Sequence, residues 1–151
     1  MEISKYLDII TSAKNTINVS KKSRLDINYL REIEKKLGVE LPDDLVEFYL
    51  ISNGLEGDEF LFHILPFEEL IKKNDDTGEY LEFAEYMIYA ETCGLELNKL
   101  NKNTYKIFAS ILSSESSDKF KRKYVANSIV EFINLYLERG TYGIWGDENN
   151  S

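Results

Sequence analysis

The apolar period of this chain switches just after Asn53-Gly54, and that switch constrains its fold more than any other feature. Before it, apolar residues recur at three- and four-residue steps, as in helices packed by one face. After it, they fall in short runs bounded by turn residues, as in strands. A helical period returns near Ser128. Helices, then a meander of strands, then a helix predict an α+β fold. The expected architecture is an antiparallel sheet of about five strands, packed with N-terminal helices and a C-terminal helix.

Ile3, Tyr6, Leu7, Ile10, Ala13 and Ile17 predict a first helix over 2–16, and Asn18 to Arg24 reads as a polar connection. A second helix runs from Asp26 to Leu37, burying Leu30, Ile33 and Leu37. Asp26 can accept from its first-turn amides. Lys35 and Lys36 suit its carbonyl end, and Gly38 can take the left-handed cap conformation. Pro42 opens a third helix, with Asp43 and Asp44 in its first turn and Leu45, Phe48 and Tyr49 inside.

Strands are expected at Glu59 to Ile64, Glu85 to Ala90, Leu95 to Leu97 and Thr104 to Ala109. Phe120 to Val125 alternates with lysines and reads as an edge strand. Pro66 to Ile71 reads as a short helical segment, and Asn74 to Gly78 as a loop. Thr92 to Gly94 and Asn98 to Asn103 read as turns, and Leu112 to Asp118 as a mobile serine-rich loop. Ser128 and Glu131 have capping-box spacing and start the last helix, which ends at Gly140 with Ile129, Ile133, Tyr136 and Leu137 inward. Tyr142, Ile144 and Trp145 are expected to pack back. Residues 1–145 are expected to form one domain, with 146–151 a frayed tail.

The net charge of −9 is uneven: residues 1–38 carry +3, 39–98 carry −14 and 99–151 carry +2. Such an acidic middle repels phosphate backbones and disfavours nucleic acid as a partner. It would attract a basic protein and speed the encounter, or simply keep the chain in solution. The single cysteine excludes a disulfide framework. No apolar stretch approaches the roughly 18 residues of a membrane span. The opening Met-Glu-Ile-Ser-Lys-Tyr-Leu-Asp lacks a signal-peptide pattern, so the expected location is the cytoplasm.

The second and third helices carry a further pattern. Glu34 is followed by Leu37-Gly38, then Leu41-Pro42, then a helix with Phe48 and Tyr49, then Asn53-Gly54. This order resembles the opening motif of the SUKH superfamily, the Smi/Knr-like proteins. Phe83 to Leu97 is similar to the family's central hairpin, and Tyr105 to Phe108 to its following strand. Val125 to Ile133 is similar to its terminal helix, with Ile129 where the family tends to have phenylalanine. The resemblance covers residues 25–138. It implies a fold more than a site, because glycines, a proline and core aromatics carry it. It further implies an immunity protein that binds and neutralises a bacterial toxin domain, often a nuclease. The alternative it implies is a scaffold or regulatory module.

On that reading the partner is a basic cognate toxin domain, met by exposed acids: Asp43, Asp44, Glu47, Glu56, Asp58, Glu59, Asp75 and Asp76. Phe60 or Tyr80 could anchor the contact. No catalytic residue, cofactor or metal is expected. His63, the single histidine, reads as a sheet residue rather than a general base. Cys93 in its turn has only His63 as a conceivable catalytic partner. Asp75-Asp76-Thr77-Gly78-Glu79 superficially resembles a calcium loop but lacks its ligand spacing. Glu68 and Glu69 are adjacent and do not converge. No phosphate loop, zinc pair or nucleophile elbow is present.

Overall fold

Between the second and third helices the chain must stop one helix and start another within a few residues, and one buried carboxylate organises the junction. A computed structural model describes residues 3–12, 19–57, 61–87, 91–97, 105–113 and 116–146. In it α1 (Ile3–Ser12) is followed by β1 (Val19–Lys21), α2 (Ile27–Leu37) and α3 (Asp43–Ile51). Asp26 caps α2 by accepting from the Asn28 amide, and Gly38 closes it at φ 69°. Glu34, 6% exposed, accepts from the Leu41 amide at 2.9 Å, and Arg31 holds its other oxygen at 2.6 Å. The Leu41 amide, which no strand or helix would satisfy, is therefore paired by the helix preceding it.

Glu34→Ala is expected to destabilise the fold by about 2 kcal/mol, since it strands that buried amide. Glu34→Gln keeps an acceptor and should recover most of the loss. Urea unfolding of the two variants checks this, and equal losses would refute the role given to the Leu41 bond.

The sheet follows: β2 (Leu55–Gly57), β3 (Phe62–Ile64), β4 (Ile71–Asp75), β5 (Gly78–Tyr86), β6 (Glu91–Glu96), β7 (Ile107–Ser113) and β8 (Ser116–Ala126). A 3-10 turn, Phe67–Glu69, separates β3 from β4, and α4 (Ile129–Trp145) closes the chain. The strand order is β1-β2-β3-β5-β6-β7-β8, antiparallel throughout, with β4 paired to the first half of β5. One apolar core lies between the helices and a single face of this sheet. Phe62, Ile64, Phe83, Ala84, Cys93, Leu95, Ile107 and Ala109 point into it. Phe62 stacks on Tyr136 of α4 at 3.9 Å between centroids, and Phe83 meets Phe132 edge-on. Tyr105 ties α3 to α4, donating to Asp44 at 2.7 Å and accepting from the Ile129 amide at 2.7 Å. Burial first, then that bond to Asp44, raises the Tyr105 phenol far above its ordinary value.

The α+β architecture is as expected, but the described residues hold eight strands rather than about five. The additional strands β1, β2 and β4 have three to five residues, too few to show a period. Lys21 and Lys22 made Asn18 to Arg24 read as a connection, yet Val19–Lys21 pairs with β2 at the sheet edge, where lysine is at home. The expected loop Asn74 to Gly78 is a tight hairpin, because Asp75 accepts from the Thr77 and Gly78 amides at 2.9 and 3.1 Å.

The expected strand Glu85 to Ala90 begins and ends too late, since β5 runs from Gly78 to Tyr86. Its three glutamates masked a strand whose Glu82 and Glu85 lie on the face away from the core. Thr92 to Gly94 is no turn but the middle of β6, and β7 and β8 take up Leu112, Ser113 and Ser116 to Asp118 from the expected serine-rich loop. Pro42 caps α3 rather than opening it. The last helix continues past a kink at Gly140 to Trp145; Ile144 and Trp145 are buried, but Tyr142 is 58% exposed. Expectations for residues 2, 13–18, 58–60, 88–90, 98–104 and 114–115 and for the tail from 147 lie outside the described residues.

Candidate functional site

Because the helices cover one face of the sheet, the other face is where side chains can meet a partner. Register fixes which residues share it. Glu56 of β2 pairs with His63 of β3, His63 with Glu85 of β5, and Glu85 with Thr92 of β6. These four therefore form a row on the open face. Glu85 lies 3.3 Å from His63 Nδ1, and Glu56 lies 3.8 Å from Nε2 and forms an ion pair with Lys22. Cys93 pairs with Ala84 in the same ladder, one residue out of step, so it points to the opposite face, into the core. A thiol–imidazole pair is thus excluded by the pleat. Burial, then the charges of Glu91 and Glu82, pushes the Cys93 thiol well up, away from the reactive thiolate.

Further along this face, the β4–β5 hairpin walls a cleft of about 860 Å³. Tyr80 and Glu82 of β5, Lys73 and Asp75 of β4, and Arg122 of β8 line it. Arg122 is its organising group, with a side chain only 5% exposed. Its Nε and Nη2 donate to Asp75 at 2.9 and 2.7 Å, Nη1 donates to Glu96 at 2.9 Å, and Nη2 also reaches the Gly78 carbonyl at 2.9 Å. The guanidinium carbon lies 4.3 Å from the Phe108 ring centroid and 5.4 Å from that of Tyr80. Tyr124 donates to the same Glu96 oxygen at 2.5 Å. Gly94 is small for a reason here. A Cβ would sit 2.6 Å from the Phe108 ring and 2.7 Å from the Tyr80 ring, so any side chain would displace the aromatic floor.

Burial works against the Asp75 charge, but the Arg122 guanidinium and the two hairpin amides outweigh it and hold the carboxyl below its ordinary 3.8. Glu82 lies 2.9 Å from the Lys73 ammonium, with its side chain 4% exposed.

The acids expected to face a partner are not brought together. Asp43 and Glu47 are exposed on α3, whereas the neighbouring Asp44 is half-buried by its bond from Tyr105. Glu56 is in the open-face row, paired with Lys22. Asp75 and Asp76 rim the cleft, but Asp75 is held by Arg122. Asp58, Glu59 and Phe60 lie outside the described residues. Tyr80 is half-buried in the cleft floor. Sequence reading missed Arg122, Glu82, Glu96 and Phe108. The alternation of Phe120, Arg122 and Tyr124 held the available signal: an arginine on the aromatic side of a strand demands carboxylate partners.

No helix among the described residues is long and apolar enough to cross a membrane. Neither a curated protein nor a solved structure matches the chain significantly. The model of the SMI1 / KNR4 family (SUKH-1) matches residues 24–135. That span runs from just before α2 through the Glu34 junction, strands β2 to β8 and the cleft into α4. It covers most of the chain, and the protein belongs to the SMI1 / KNR4 family (SUKH-1).

Proposed function

We propose that the chain is an immunity protein: it binds a cognate bacterial toxin domain and blocks that domain's active cleft with an acidic surface. The family match over residues 24–135 carries this reading, because membership of that family is consistent with toxin immunity. The charge of −14 on residues 39–98 supports a basic partner, as a nuclease with a cationic substrate cleft would be. One domain, residues 1–145, does the work in the cytoplasm by binding alone, without turnover. Separation of Cys93 from His63 by the sheet supports the absence of thiol catalysis.

The test is capture of partners by the tagged protein from its native cells at low and high salt, followed by co-expression. A single basic protein, released by salt, whose toxicity disappears on co-expression is the expected result. Capture of a non-toxic cellular protein would replace this reading with a scaffold or regulatory role. Among the acids, Asp43, Glu47 and Asp76 are exposed and have no ion pair among the described residues. Reversing all three to lysine is expected to slow association with the captured toxin by about tenfold at low salt and to flatten its salt dependence. Unchanged stopped-flow kinetics would show that docking does not use these charges.

A further inference from the structure

The cleft on the open sheet face has an unbalanced demand for hydrogen bonds, although its charges balance. Its deepest cation is satisfied: Arg122 places donors on Asp75, Glu96 and the Gly78 carbonyl. Its deepest anion is not. Glu82 Oε2 is fully buried and has no hydrogen-bond partner among the described residues. The Lys73 ammonium lies 2.9 Å away, close enough for an ion pair but without hydrogen-bonding geometry, and the Lys73 side chain is 44% exposed. Lys73 comes from β4, which among the described residues pairs only with β5. Beside it Ile71, an apolar residue 41% exposed, lies on the cleft wall. The cleft volume of about 860 Å³ is that of a ligand site. A buried carboxylate oxygen with no hydrogen-bond donor among the described residues, an apolar wall and an aromatic floor together fit a long cationic side chain, with its stem on carbon and its head on the acid.

We propose that this cleft receives an arginine side chain of the partner protein, its stem against Ile71 and Tyr80 and its guanidinium on Glu82, displacing Lys73. The inference rests on the reading that the partner is a basic protein, and it names the contact that partner makes. Exchange of an ammonium for a guanidinium is favoured because the planar fork can pair with both carboxylate oxygens. Lys73 is released to solvent, so no charge is left buried without a partner. The aromatic floor depends on Gly94, whose lack of a side chain lets Tyr80 and Phe108 meet beneath the site.

The test uses the whole chain, labelled with nitrogen-15, and N-acetyl-arginine amide as the probe. Saturable amide shifts at Tyr80, Glu82, Thr92 and Ser110 are expected, with N-acetyl-norleucine amide silent. Glu82→Gln should weaken binding by about tenfold, as loss of a charged hydrogen-bond pair does. Lys73→Ala should tighten it by roughly threefold, because a competing cation is removed. If Glu82→Gln does not fold, as judged by circular dichroism, Lys73→Ala decides alone. Equal shifts from the norleucine probe, saturable shifts from inorganic phosphate instead, or weaker binding in Lys73→Ala would overturn the assignment. A silent titration removes the arginine site and leaves toxin capture untouched. Failure to capture a toxin leaves the titration untouched, so the two readings fail separately.

Discussion

Replacing Phe62 with alanine is expected to lower the free energy of unfolding by about 3–5 kcal/mol, a large fraction of the total for a domain of this size. Phe62 is fully buried on β3, a strand of only three residues, so few backbone bonds hold that strand in place. Its ring stacks on Tyr136 at 3.9 Å and lies 6.3 Å from both Phe132 and Trp145. It is therefore the point where the sheet meets both the main part of α4 and the segment beyond the Gly140 kink. The loss combines removed apolar area with a cavity that three aromatic rings cannot easily collapse. Ile9→Ala, at a site 53% exposed on α1, supplies the contrast and should move stability by less than about 0.5 kcal/mol. Urea unfolding of both variants measures the difference. A Phe62→Ala loss as small as that of Ile9→Ala would mean that the aromatic cluster is not what fastens α4 to the sheet.

The helices were legible because their signals are local. Asp26, Gly38 and Ser128 act on amides and carbonyls within a few residues of themselves, and each caps its helix as its sequence position implies. The strands were less legible because a residue's partner lies on another strand. Glu79 and Glu82 look like loop residues in sequence, and Glu85 looks like the start of a strand rather than a residue near its end. In the sheet each faces a cation or an imidazole: Glu79 Lys72, Glu82 Lys73 and Glu85 His63. Gly94 looks like a turn residue, and its meaning appears only when the rings of Tyr80 and Phe108 close over it. The same limit applies to the site. A count of acidic residues found the charge of the middle segment but not which acids were already paired. Asp75 and Glu56 find their cations at Arg122 and Lys22, 47 and 34 positions away in the chain. Arg122 itself lies in a segment of net positive charge, where a solvated lysine-rich edge was the natural reading.

Arg122→Met should lower stability by about 3 kcal/mol at neutral pH, although it removes a charge from a strand at the sheet edge. The guanidinium is 5% exposed, and the Glu96 side chain it holds is 9% exposed. Methionine fills the space over Phe108 but leaves Glu96 buried with the Tyr124 hydroxyl as its remaining side-chain donor among the described residues. Loss of the bonds to Asp75 and to the Gly78 carbonyl also frees the β4–β5 hairpin from β8, across the cleft. Hydrogen exchange at Thr77 and Gly78 should therefore quicken in the variant while exchange in α4 follows the global stability change. Arg122→Lys should recover only part of the loss, because one ammonium cannot span two carboxylates and a carbonyl. The pH dependence has a defined sign. The Asp75 carboxyl titrates below its ordinary 3.8 in the folded protein, so its share of the stability is complete above that value and disappears as pH falls through the lowered one. The gap between wild type and Arg122→Met should accordingly be constant from neutral pH down to about 5 and narrow below 3.8. Urea unfolding at pH 7 and pH 3 measures both ends, and a gap that stays constant across this range would show that Arg122 does not act through the Asp75 carboxylate.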